Sequence, residues 1–243
     1  MSAVGSLGLL IRWRALQMRS ILPLALLVQA MIGGALIIGD GLLIPHIDHS
    51  VATYLTAGAA TLALVSVGIA IAPQFVAQAR LTGLHDYLES LPLPRLNYLI
   101  AEVLVALTIS VPGVAVALGI AELRYGVAVH WSAVLVLAVV MVLVTATAIG
   151  YAIGLWIKNP KAVTLVVNAL LFFILLFTPI DYPISRLPTW LADAERVLPF
   201  FRIGELMRDT IVGSGPLLVP MLITGGWAVV AGGLCVRAAL VRS

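Results

Sequence analysis

Charge is scarce in this chain of 243 residues: Asp, Glu, Lys and Arg make up only 10% of it, against roughly 25% in an average soluble domain. Apolar residues reach 62% and the mean hydropathy is +1.13, more apolar surface than a soluble core can absorb. The one cysteine, Cys235, excludes an internal disulfide and any cysteine-rich metal site. Lysine occurs only as Lys158 and Lys161, in KNPK, so no G-x-x-x-x-G-K-[ST] phosphate loop exists and the chain lacks the usual means of binding ATP. The net charge of +3 is small and follows the placement of arginines along the chain, which topology explains better than a nucleic-acid partner does.

The sequence is rich in long apolar runs. Six of them, 21–44, 51–76, 97–118, 132–157, 163–180 and 217–240, suffice to cross a hydrocarbon core, which takes about 20 residues as helix. They use up nearly the whole length, which predicts a single membrane domain over 1–243 with no sizeable extramembrane part. Apart from Arg237, three residues from the end of the last run, only Asp40 and Glu102 carry formal charge inside the runs. Both acids lie within a turn or two of an end, where a side chain is expected to reach the headgroups.

Orientation comes from the short loops, because cytoplasmic loops retain positive charge. With the N-terminus inside, the inner segments hold Arg12, Arg14, Arg19, Arg80, Arg95, Lys158, Lys161, Arg237 and Arg242, and the first two outer loops hold only Arg124. Both termini therefore read as cytoplasmic. The third outer segment, 181–215, mixes four arginines with five acidic residues and weighs little either way. The first run is too long for the apolar region of a cleavable signal peptide and reads as a retained span. Ahead of it, Leu7, Leu10, Ile11, Ala15 and Met18 form a helical apolar stripe beside Trp13 and several arginines, the pattern of a helix lying in the membrane interface. Arg14 interrupts that stripe.

Several reaction classes lack their residues. A membrane-embedded enzyme or an ion-coupled carrier needs an ionisable group at membrane depth, and no run carries one near its middle. His46, His49, His85 and His130 all fall in or beside loops, so no serine and histidine pair forms inside the bilayer. His46, Asp48 and His49 in PHIDHS resemble a polar turn more than a metal site, which needs further ligands. Small residues four apart, Ala146, Gly150 and Gly154 in the fourth run and Ala228 and Gly232 in the sixth, predict close helix packing, within one subunit in preference to between two.

One loop has a helical pattern of its own. In RLTGLHDYLESLPLPR, residues 80–95, Leu81, Leu84, Leu88 and Leu91 recur at helical spacing while Thr82, His85, Asp86 and Glu89 fill the gaps, and Pro92 and Pro94 end the helix. A helix with one apolar side must bury it against protein or lipid, and its acidic residues disfavour the negative cytoplasmic leaflet. The segment 187–209, LPTWLADAERVLPFFRIGELMRD, is also amphipathic, with Glu205 and Arg208 spaced to pair on one helical turn.

GLHDYLESLPLPR resembles the first cytoplasmic loop of ABC-2 permeases, the membrane subunits of type 2 ABC exporters, in which a G-T-L-E-x-L-like helix precedes P-x-x-R and the third span. His85 and Asp86 depart from that pattern. The basic N-terminal segment resembles the family's interfacial helix, and 187–209, with LP-x-W, a later proline-aromatic pair and a terminal R-D, resembles its external segment. The resemblance implies an all-α integral membrane protein of six transmembrane helices, with an N-terminal interfacial helix, a cytoplasmic coupling helix and short extracellular helices between spans five and six. It implies two permeases, identical or homologous, around the path, and two ATP-binding subunits that hold the ATP and Mg. The coupling helix that seats in those subunits would use Gly83, Leu84, Asp86, Tyr87, Leu88, Glu89, Leu91 and Arg95. Path-lining residues by the same carry-over are Thr56, Ser66, Asn168 and Phe172, a set of apolar and polar uncharged groups suited to drugs, lipids or glycolipids. An ATP-independent carrier or channel and a membrane-embedded enzyme are the alternatives, both short of ionisable residues.

Overall fold

The computed structural model describes residues 3–44, 47–83 and 95–240. Among these residues the chain forms nine α-helices and one short 3-10 turn, with no strand: α1 (Ala3–Met18), α2 (Leu22–Leu43), α3 (His49–Leu81), α4 (Arg95–Tyr125), α5 (Ala133–Trp156), α6 (Pro160–Phe177), α7 (Thr189–Val197), α8 (Pro199–Val212) and α9 (Leu218–Leu240). The six that are long and apolar enough to span a membrane, α2 to α6 and α9, correspond to the six apolar runs.

Two spans run longer than hydropathy suggests. Helix α3 continues past Val76 to Leu81, and α4 past Leu118 to Tyr125, because the polar residues that end the apolar runs are themselves compatible with helix. Their 33 and 31 residues make rods of about 50 and 46 Å at 1.5 Å per residue, against about 30 Å of hydrocarbon. The helix starts are capped from the sequence. Asp48 accepts from the Val51 amide and the Ser50 hydroxyl, each at 2.8 Å, which holds its carboxyl below the ordinary value. Ser132 caps α5 through the Leu135 amide at 3.2 Å, and Asn159 caps α6 through the Lys161 amide at 2.9 Å. In PHIDHS, then, Asp48 works as a helix cap; His46 lies outside the described residues.

Helix α3 is the axis of the bundle, touching α2, α4, α5, α6 and α8. Its spanning part is 83% buried, whereas that of α6 is only 17% buried, so α6 stands at the periphery. Helix α5 lies closest to α3, along Ala146, Gly150 and Gly154. A Cβ on Gly150 would stand 2.6 Å from the Gly68 carbonyl oxygen, and one on Gly154 would stand 2.8 Å from the Cα of Pro73. That row packs helices within this chain, as its spacing predicts. Helix α9 differs, for a Cβ at Gly232 would meet nothing within 4 Å, so Ala228 and Gly232 do not make a comparable approach. Polar bonds add ties between helices: Gln29 donates to the Ala63 carbonyl at 2.6 Å, and Thr145 to that of Thr224 at 3.2 Å.

Replacing Gly150 with leucine is expected to push α3 and α5 apart at a cost of about 1–3 kcal/mol, lowering the thermal unfolding midpoint of the detergent-solubilised chain. Gly232→Leu, measured alongside, should leave the midpoint in place.

Candidate functional site

At one end of the bundle α3 stops, α4 begins, and side chains from four helices converge. The residues expected to form the coupling helix, Leu84, Asp86, Tyr87, Leu88, Glu89 and Leu91, lie outside the described residues. Their flanks are defined. Gly83 has φ +71°, the left-handed conformation in which a glycine terminates a helix, and Arg95 opens α4. Just before Gly83, Arg80 donates to the carbonyls of Gly154, Leu155 and Ile157 at 2.8, 2.6 and 2.7 Å. The last carbonyls of a helix lack intrahelical donors and carry partial negative charge. The guanidinium supplies both donors and charge, binding the end of α3 to the end of α5.

A second arginine joins three helices. Arg14 of α1 is 6% exposed and Glu102 of α4 is 2% exposed. Arg14 grips that carboxylate with two parallel bonds, Nε to Oε2 at 3.0 Å and Nη2 to Oε1 at 2.9 Å. Its remaining fork donates to Gln17 at 2.9 Å, and the guanidinium lies 3.6 Å over the ring of Phe75 in α3, against which Trp13 packs edge-on. The expectation that Glu102 reaches the headgroups is therefore corrected: it turns inward, because a bidentate guanidinium replaces its lost hydration. Arg14, which breaks the apolar stripe of α1, is the residue that fastens α1 to the bundle.

The four residues expected to line the path fall in different surroundings. Thr56 is fully buried and its hydroxyl donates to the Ala52 carbonyl of its own helix at 2.7 Å. Ser66 is half-buried and donates to Ala63 at 3.1 Å. Asn168 and Phe172 are exposed, one turn apart on α6. Sequence reasoning passes over Gln74, which donates to Thr164 of α6 at 3.1 Å; the one signal for it is a pair of glutamines, Gln74 and Gln78, one turn apart at the end of an apolar run.

A family model described as ABC-2 family transporter protein matches residues 46–237, a stretch that takes in five of the six spans. The chain belongs to the ABC-2 transporter family. No curated protein matches it. As an ABC-2 permease it is a multi-pass transport component and not itself a catalyst, and membership implies an ATP-binding partner.

At the opposite end of this ABC-2 permease, the segment between the fifth and sixth spans folds as a 3-10 turn, Ile184–Arg186, then α7 and α8. Helix α8 buries Phe200, Phe201, Ile203, Leu206, Met207 and Ile211 and touches α3, α5, α7 and α9. The expected pairing of Glu205 with Arg208 is replaced by Arg202 with Glu205, at 2.7 Å. Arg208 turns toward α3, its guanidinium 4.3 Å over the ring of Tyr54. Glu195 of α7 is fully buried. The Thr178 hydroxyl donates to its Oε1 at 3.2 Å, and its Oε2 has no partner among the described residues. Burial raises this carboxyl above its ordinary 4.5, outweighing the Thr178 bond.

The two buried acids should respond differently to substitution. Glu102→Ala leaves Arg14 buried without a counter-charge and is expected to cost about 3–5 kcal/mol, whereas Arg14→Met with Glu102→Leu in one chain should cost less; thermal unfolding in detergent compares them. For Glu195, the unfolded chain releases its proton near the ordinary value while the folded chain keeps it longer, so this group's penalty grows as pH rises above that value. Glu195→Gln should therefore raise the unfolding midpoint at pH 8 relative to pH 5, and a gain equal at both would contradict the burial argument.

Proposed function

We propose that the chain is the permease of an ATP-driven exporter in the cytoplasmic membrane, carrying an amphiphilic substrate such as a drug, lipid or glycolipid outward. Both termini and the segment 84–94 face the cytoplasm in this reading, which accords with Arg12, Arg19, Lys158, Lys161 and Arg237 at that end. Helix α1 lies along the inner interface. A second permease, identical or homologous, faces the open side of α6 across the path, where Leu165, Phe172 and Leu176 stand exposed. Two ATP-binding subunits dock beneath, each binding ATP and Mg. Within the amphiphile class, drug efflux fits a path of apolar and hydroxyl groups. Ser66, Asn168 and Phe172 line it directly, and Thr56 joins them only if α3 moves.

One observation carries the proposal. Within about two and a half turns of the segment 84–94, Arg80 holds α5 and the Phe75–Arg14–Glu102 group holds α1 to α3 and α4. A displacement delivered to that short segment therefore acts on four helices together, which is what a permease without its own nucleotide site requires. Leu84, Leu88 and Leu91 anchor the segment in the partner's groove, with Asp86 and Glu89 facing polar or basic groups there.

The purified chain is expected to hydrolyse no ATP, and to support ATP-dependent accumulation of a labelled amphiphile in inverted vesicles only when co-expressed with its ATP-binding partner. ATP hydrolysis by the isolated chain would refute the proposal. Leu88→Asp should abolish co-purification of that partner while membrane insertion stays normal, since it places a charge in the proposed apolar contact; undiminished co-purification would remove the segment from the coupling role.

A further inference from the structure

Between Leu55 and Ala79, α3 is incompletely buried only at Ser66, Ala70, Ile71, Gln74, Phe75 and Gln78. Ile71 and Phe75 lie one turn apart, and Phe75 is met by α1. The other four positions recur every fourth residue and form one row, polar at its inner end. That row meets α6 at the bond between Gln74 and Thr164. There a cleft of about 210 Å³ opens, lined chiefly by Gln74, Gln78, Leu81, Lys161 and Thr164. Sites that enclose a drug-sized ligand run to roughly 300–1,000 Å³, so this cleft has room for one polar group and not for a whole amphiphile.

The lining selects the sign of that group. Lys161 brings an ammonium, Gln74 and Gln78 bring carboxamide donors, Thr164 brings a hydroxyl, and the first turn of α6 turns its positive end toward the same place. Among the described residues no carboxylate lines the cleft and Lys161 makes no ion pair. An anion with several acceptor oxygens satisfies these donors, while a cation would find no counter-charge. Beyond the cleft, Asn168 and Phe172 continue the side of α6 that starts with Lys161 and Thr164, at intervals of three or four residues, and Leu165 is exposed beside them. A molecule seated in the cleft thus has an apolar wall rising from it into the bilayer.

We infer that this cleft binds the anionic headgroup, a phosphate, carboxylate or sulfate, of an amphiphile whose tail lies along α6, so that anionic amphiphiles are the preferred cargo. The cargo role rests on the proposed export function, but binding itself is testable without the ATP-binding partner. The full chain in phosphatidylcholine nanodiscs is titrated with phosphatidylglycerol labelled on its acyl chain and, separately, with equally labelled phosphatidylcholine. Phosphatidylglycerol should bind more tightly, and Lys161→Gln should weaken it about tenfold, the size of one charge-assisted contact. Lys158→Gln, which removes a nearby lysine that does not line the cleft, should leave the affinity unchanged. Equal affinity for the two lipids would overturn the inference. So would equal losses in the two lysine variants, which would show only general attraction to a basic surface. Displacement by inorganic phosphate at the lipid's own concentration would also overturn it, because the apolar wall would then contribute nothing. With the partner present, tight and Lys161-dependent lipid binding without ATP-driven export would sink the export proposal and leave the cleft standing. Export of both lipids at equal rates, unaffected by Lys161→Gln, would do the reverse.

Discussion

Inside a bilayer, apolar side chains gain little by leaving lipid for one another, so helices hold together through close van der Waals approach and a few polar bonds. The contact of α3 with α5 meets that requirement directly. Gly68 and Gly150 let the two backbones approach to a distance that a single added carbon would forbid. With that contact made, α3 can be enclosed on nearly every side by one chain, and the remaining spans take their places around it. The same enclosure leaves α6 outside, with an apolar face that nothing among the described residues covers.

The charged groups obey a different rule. Far from water, a charge persists only where a partner replaces its hydration. Arg14 and Glu102 satisfy each other, and Arg80 satisfies the end of α5. Both arrangements sit at the end of the bundle from which the segment 84–94 emerges. They tie α1, α3, α4 and α5 together at that end, and in the proposed coupling role that tie carries a push on a short loop to distant helices. At the other end the buried acid Glu195 is only half satisfied among the described residues, and burial raises its carboxyl above the ordinary value.

Much of this is legible in the residues. The six spans follow from apolar length, and Asp48, Ser132 and Asn159 stand where helix starts require a capping oxygen. The row Ala146, Gly150 and Gly154 announces its close contact by spacing. Where sequence and structure differ, the missing information is the identity of a neighbour distant in the chain. Local sequence sends Glu102 to the headgroups because nothing nearby offers it a cation; its partner stands 88 residues away on α1. Local spacing matches Arg208 to Glu205, but Tyr54 of α3 competes for it from across the bundle. Ala228 and Gly232 have the spacing of a packed pair, yet no neighbour stands within 4 Å of where a Cβ on Gly232 would lie. The cleft between α3 and α6 is marked in the sequence only by the pair Gln74 and Gln78, since two glutamines, a lysine and a threonine on separate helices form no motif until the helices meet.

By itself, then, the sequence determined the solvent and the segments: a bilayer and six spanning helices, with a capping residue at the start of three of them. These are local matters, settled by hydropathy, periodicity and capping within about twenty residues. The tertiary structure decided which helix lies at the centre, which charge answers which, and which faces stay open. Those outcomes depend on which side of each helix meets its neighbour, and that is set by the packing of whole helices together and not by any one of them alone.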